Sequence, residues 1–93
     1  MMSRDAIRQV LAKAFEVAKE QPIDPTQVQD DVRLRDGLGV DSLDVMEVVF
    51  EIEEKLGIQI KEEDMQGIQT VGDVIVLCER KLAALDAADG RKG

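Results

Sequence analysis

A chain of 93 residues with 44% hydrophobic side chains makes one small domain with a modest core, too small to enclose a deep catalytic pocket of its own. Its formal charge of −8 is concentrated, since residues 41–64 carry nine acids against two bases; such a surface repels nucleic acid and anionic lipid and attracts basic protein patches. Histidine, tryptophan and tyrosine are absent and there is one cysteine, which excludes a Ser-His-Asp triad, an internal disulfide and a thiolate zinc cluster.

Met1-Met2-Ser3-Arg4-Asp5 lacks the apolar stretch of a signal peptide, and no run of the chain reaches membrane-spanning length. The expectation is a soluble cytoplasmic protein without nucleic-acid or stable membrane association. Neither 24–36 nor 86–90 has the ligand spacing of a calcium loop, so no metal is expected.

In chain order, Ser3 is positioned to cap a first helix ending near Glu20, with Ile7, Val10, Leu11, Ala14, Val17 and Ala18 along one face and Phe15 at its border. Pro22 and Pro25 stop it and open a long loop, Gln21 to Val40, which Val28, Val32, Leu34 and Leu38 are expected to anchor. A central helix follows from Ser42 to Leu56, with Gly57 as its left-handed cap and Ile58 making the apolar contact beyond it. Residues 61–65 suit one short helical turn. Thr70 and Asp73 form a capping box for the last helix, whose stripe is Val71, Val74, Ile75, Cys78, Leu82 and Leu85. Cys78 therefore reads as a core residue. The reading is an all-α, small four-helix bundle over 1–85, with three longer helices and a short third one, and a disordered tail over 86–93.

The stretch that carries chemistry is Gly39-Val40-Asp41-Ser42-Leu43-Asp44. Asp41 suits the N-cap and Asp44 reaches back as its capping-box partner, which makes Ser42 the first helical residue. A hydroxyl there lies among unsatisfied backbone N–H groups at the positive end of the helix dipole, a position that favours a phosphate ester. The same four residues also serve as an ordinary helix start, and local sequence does not separate the two readings.

The central helix presents two apolar sets at 100° steps. Val45, Val48, Val49, Ile52 and Leu56 cluster as the core face, while Leu43 and Phe50 point the other way with Met46 between. Glu47 and Glu54 lie beside that second set, and Asp44 and Glu51 extend its acidic border. A solvent-facing apolar strip rimmed by carboxylates reads as a docking surface; the alternative is that Met46 and Phe50 tuck under the loop or the next short helix.

A long first helix, a long loop, Leu38-Gly39-Val40-Asp41-Ser42-Leu43-Asp44, an acidic second helix and Ile68-Gln69-Thr70-Val71-Gly72-Asp73 together resemble the acyl carrier proteins. The resemblance implies that Ser42 receives a 4′-phosphopantetheine arm from coenzyme A through a separate phosphopantetheinyl transferase. The arm's thiol would carry acyl chains as thioesters, and the carrier itself would catalyse nothing. It further implies that Asp41, Leu43, Asp44, Met46, Glu47, Phe50, Glu51 and Glu54 meet basic patches on the transferase and on acyl-handling synthases, transferases or ligases, with the carrier acting as a monomer. Gly37 stands where that family commonly has an acid, and Lys61 where it commonly has a proline. These departures leave open fatty-acid, polyketide and related lipid biosynthesis. A peptidyl or aminoacyl carrier and an unmodified acidic helical adaptor are the alternatives.

Overall fold

The computed structural model describes the backbone of residues 2–92 and the side chains of residues 2–85. The described chain holds four α-helices, α1 (Arg4–Lys19), α2 (Leu34–Leu38), α3 (Ser42–Leu56) and α4 (Val71–Lys92), with 3-10 turns at Pro25–Gln27 and Glu62–Met65. The all-α bundle expected from the sequence is the fold found, with α1 lying against both α3 and α4.

Ser3 caps α1, its Oγ accepting from the Ala6 N–H at 3.1 Å. The buried arc of α1 is rotated from the expected one: Ala12 and Phe15 are inside, and Val17 is 41% exposed. Two neighbours explain the rotation. The arc has to fill the angle between α3 and α4, and Phe15 is the largest fully buried side chain among the described residues.

The segment from Gln21 to Val40 is more structured than a loop. Asp24 caps the Pro25–Gln27 turn, and Leu34 and Leu38, spaced to share one helix face, turn inward on α2. Gly37 is needed there because a Cβ would meet Val32 Cγ1 at 2.7 Å, and Gly39 ends α2 at a φ of 66°. Of the four expected anchors, Val28 and Leu34 are buried and Val32 and Leu38 half-buried; Ile23 and Val40 are buried too.

Backbone bonds then stitch this segment to the start of α4. The Leu34 N–H donates to Gln69 O at 3.0 Å, the Val71 N–H to Val32 O at 2.9 Å and the Gly72 N–H to Asp30 O at 2.9 Å. Around them, Arg8 lies 2.6 Å from the Asp30 carboxylate, and Arg4 bridges Asp30 and Glu79.

Gly57 caps α3 at a φ of 67°, with Ile58 buried behind it. The short helix expected at 61–65 is the 3-10 turn Glu62–Met65, held by Asp64, which accepts from the Lys61 N–H at 2.8 Å and pairs with Lys81 at 2.8 Å. On α4, Val71, Val74, Ile75 and Cys78 are buried as expected, and so is Leu77; Leu82 is half-buried and Leu85 is 40% exposed. The backbone of α4 continues to Lys92, through the residues read from sequence as a disordered tail. Ala87 and Ala88 favour helix, and nothing at 86 breaks it. The side chains of 86–93 lie outside the described residues.

Two predictions follow from this packing. Ile52, 1% exposed, and Phe50, 70% exposed, sit on one helix and test its phase. Ile52→Ala is expected to cost about 2 to 5 kcal/mol in urea unfolding, and Phe50→Ala about 0.5 kcal/mol or less. Equal losses would contradict the assigned faces.

The second concerns Asp73, which accepts from the Gln69 N–H at 2.9 Å and the Thr70 N–H at 3.1 Å; these bonds hold its carboxyl below the ordinary range. Asp44 and Asp64 are shifted the same way. A folded-state value below the unfolded one stabilises above about pH 4 and is lost as pH falls through the lowered value. Asp73→Asn is therefore expected to melt below the parent at neutral pH, with the gap closing toward about pH 3. A gap independent of pH in thermal melts would contradict this assignment.

Candidate functional site

The head of α3 is built from three side chains. Asp41 takes an extended conformation, and its Oδ1 accepts from the Asp44 N–H at 2.9 Å; Asp44 Oδ2 accepts in return from the Asp41 N–H at 3.1 Å. From the last turn of α1, Lys19 Nζ donates to Gly39 O at 2.8 Å and pairs with Asp44 Oδ2 at 3.1 Å. The Asp41 amide, then Lys19, hold the Asp44 carboxyl below the ordinary carboxylate range. Lys19 thus ties together α1, the turn at Gly39 and the start of α3. Sequence reasoning missed it, because a lysine ending an amphipathic helix carries no signal of the distant carboxylate it meets.

Ser42 is exposed at the first position of α3. Of the amides in this turn, that of Asp44 donates to the Asp41 side chain and that of Val45 to the Asp41 carbonyl at 2.9 Å. The Ser42 and Leu43 N–H groups have no partner among the described hydrogen bonds. An exposed hydroxyl beside open amides, at the positive end of a 15-residue helix, fits a phosphodiester in charge and in donor set.

Away from the core, Leu43 is 73%, Met46 69% and Phe50 70% exposed, so neither Met46 nor Phe50 tucks under a neighbouring segment. Asp41, Glu47 and Glu54 are exposed beside them, and Glu51 is half-exposed. Asp44 differs from these. Its side chain is only 15% exposed and its Oδ2 serves both the Asp41 N–H and Lys19, so it holds the start of the helix as well. Glu53, on the same helix, accepts from the Ile60 N–H at 2.8 Å and so fixes the following segment.

Several cavities flank the helix, among them one beside the core and one beside Ser42. An apolar slit of about 10 Å³ runs among Phe15, Val45, Val48, Ile52, Ile60 and Met65. A wider groove of about 300 Å³ opens at Ser42 itself, bordered by Asp41, Val45, Arg33, Arg35 and Gln69. Cys78 lies in the core, where burial and then Glu79 push its thiol up to about 11. Among the described residues no group of histidine, cysteine or carboxylate side chains is arranged for a metal, and no helix is long and apolar enough to cross a membrane.

This geometry has known counterparts. A family profile described as the phosphopantetheine attachment site matches residues 5–77. An acyl carrier protein of Thermotoga maritima is 34% identical over 83 residues, spanning 88% of this chain and 99% of that one. Another, of Saccharopolyspora erythraea, is 35% identical over 88 residues, spanning 91% and 86%. The solved structure of an acyl carrier protein from Enterococcus faecalis, described for its high thermal stability, matches with a TM-score of 0.61 at 33% identity, over 86% of this chain and 99% of that one. The chain belongs to the acyl carrier protein family, non-catalytic carriers of a covalently attached 4′-phosphopantetheine that are served by a phosphopantetheinyl transferase and by acyl-handling enzymes.

Proposed function

We propose that Ser42 is the residue that carries the arm, and that acyl intermediates travel on its thiol as thioesters through fatty-acid, polyketide or related lipid biosynthesis in the cytoplasm. The observation that carries this reading is the exposed Ser42 hydroxyl at the first turn of α3, beside two open amides and one edge of an exposed apolar strip. A thioester carbonyl is more electrophilic than an ester's and its α-protons are more acidic, so partners acylate or condense the cargo without activation by the carrier. The small carrier, acting as a monomer, supplies a long tether and an address.

The address is the strip of Leu43, Met46 and Phe50, framed by Asp41, Glu47, Glu51 and Glu54. Apolar side chains supply contact area, and the acids steer basic patches on the partner and fix the register. One carrier visits several enzymes, which calls for fast association and fast release, and a compact charge-steered contact provides both. A short acyl chain that turns inward would enter the apolar slit between Val45, Val48 and Met65, with no polar side chain in its path.

Intact mass before and after incubation with coenzyme A and a broad-specificity transferase tests the attachment. The parent protein is expected to gain one arm and Ser42→Ala none. With Cys78 buried and its thiol held protonated, the arm's thiol is then the one an alkylating reagent meets in the folded protein. Absence of a gain, with the transferase active on a control, would favour the unmodified adaptor.

Steering has its own test. Glu47→Lys combined with Glu54→Lys is expected to slow arm transfer about tenfold or more at low salt by lowering the association rate, with the deficit shrinking as salt screens the parent's advantage. Equal transfer rates at low salt would refute steering by these two acids.

A further inference from the structure

The groove beside Ser42 runs against the charge of the molecule. In a chain of net charge −8, two of its twelve bases, Arg33 and Arg35, stand on the border of this one groove, opposed there by the single carboxylate of Asp41. Asp41 is already engaged by the Asp44 N–H. Arg33 is held loosely, with Nη2 3.4 Å from Gln69 Oε1 and Nε 3.4 Å from Asp36 Oδ2, and Arg35 has no ion pair among the described residues.

The groove is also built. Its walls come from the start of α2, the head of α3 and the segment before α4, and the first and last are joined by the bridge between Arg33 and Thr70, made of the Leu34 N–H to Gln69 O bond at 3.0 Å and the Val71 N–H to Val32 O bond at 2.9 Å. The Val40 N–H closes the floor on Leu34 O at 2.9 Å. At about 300 Å³ it falls at the lower end of the volumes that small ligands occupy.

We propose that this groove is a berth for the chain's own 4′-phosphopantetheine arm. The guanidiniums of Arg33 and Arg35 face the arm's phosphodiester, the Gln69 amide pairs with an amide of the arm, and Val40 and Ile68 receive its geminal methyl groups. This rests on attachment at Ser42. The occupant follows from the tether: a group bonded to the groove's own border is present at high effective concentration without any free binding step. The charge agrees with it, because a phosphodiester is the one fixed anion that modification brings to this spot, and guanidinium forks match phosphate oxygens. The lining combines two cations, one side-chain amide and the apolar Leu34, Val40, Val45 and Ile68, which matches an arm made of a phosphodiester, one geminal dimethyl group and two amides.

The test compares apo and arm-loaded protein by heteronuclear NMR, with the arm isotope-labelled from coenzyme A. In the loaded parent, the Ile68 and Gln69 amides, far in sequence from Ser42, are expected to shift, and the arm's methyls to give contacts to Val40 and Ile68. Arg35→Gln and the pair Arg33→Gln with Arg35→Gln are expected to return Ile68 and Gln69 progressively to their apo positions and to lengthen the arm's relaxation. Arg35→Lys, which keeps the charge, retains more of the shift than Arg35→Gln, and about 0.5 M salt weakens all of it. A loaded parent whose Ile68 and Gln69 match the apo protein, or shifts that the double variant leaves intact, would overturn the berth alone. A parent that gains no arm by mass overturns the attachment and the berth with it.

Discussion

The reciprocal bond between Asp41 and Asp44 is the constraint on which the rest of the molecule depends. It fixes where α3 begins, and the burial of Val48, Ile52 and Leu56 fixes how α3 is rotated. With start and rotation both set, Ser42 has to emerge at the open end, and Leu43, Met46 and Phe50 have to emerge on the side away from the core. A start displaced by one residue would carry the hydroxyl about 100° round the helix and away from the groove at its foot. Lys19 makes such a displacement costly, because it grips Asp44 and the carbonyl of Gly39 at once.

The same bond divides the acids by role. A helix carrying this much negative charge repels itself, and the fold offsets part of that repulsion where carboxylates meet donors. Asp44 has two amide or ammonium partners, Glu53 pins Ile60, and Asp64 bridges to Lys81. What remains unpaired, Asp41's second oxygen with Glu47, Glu51 and Glu54, borders the exposed apolar strip. The acids therefore are not one surface. Those with partners hold the helix in place, and those without one among the described residues are the ones the proposed steering would use.

Much of this was legible in the chain because its signals are local. The boxes Asp41–Asp44 and Thr70–Asp73, Gly57 after Leu56, and the two apolar sets of α3 each lie within a few residues, and each was found where spacing put it, except that Val45 and Val49 of the core set are only half-buried. What escaped is non-local. The loop is held to α4 by backbone bonds from Val71 and Gly72, which leave no mark on side-chain identity. The five-residue α2 is too short for a period to develop. The choice of Phe15 over Val17 for the core depends on two neighbours at once, and no count along α1 alone contains that. At the site, the eight residues read as a recognition set from resemblance are on α3 or its cap, and Asp44 also holds the start of the helix, which only its partners disclose.

A carrier has to hold its arm and also surrender it, and the groove at Ser42 bears on both needs. Arg33 and Arg35 are exposed, so each contact with a phosphodiester is worth at most about 1 kcal/mol in screening solvent. At that strength the berthed and free arms differ in population by roughly fivefold per contact, not by orders of magnitude. On the proposed reading, a partner that brought its own basic patch to the Leu43, Met46 and Phe50 strip would compete for the same anion from the other side of α3's first turn. Had the cations been buried and fully paired, the arm would be kept in place against every partner, since a desolvated guanidinium resists losing its anion. Exposure is thus a requirement of the proposed berth, which would leave release of the arm to the docking enzyme.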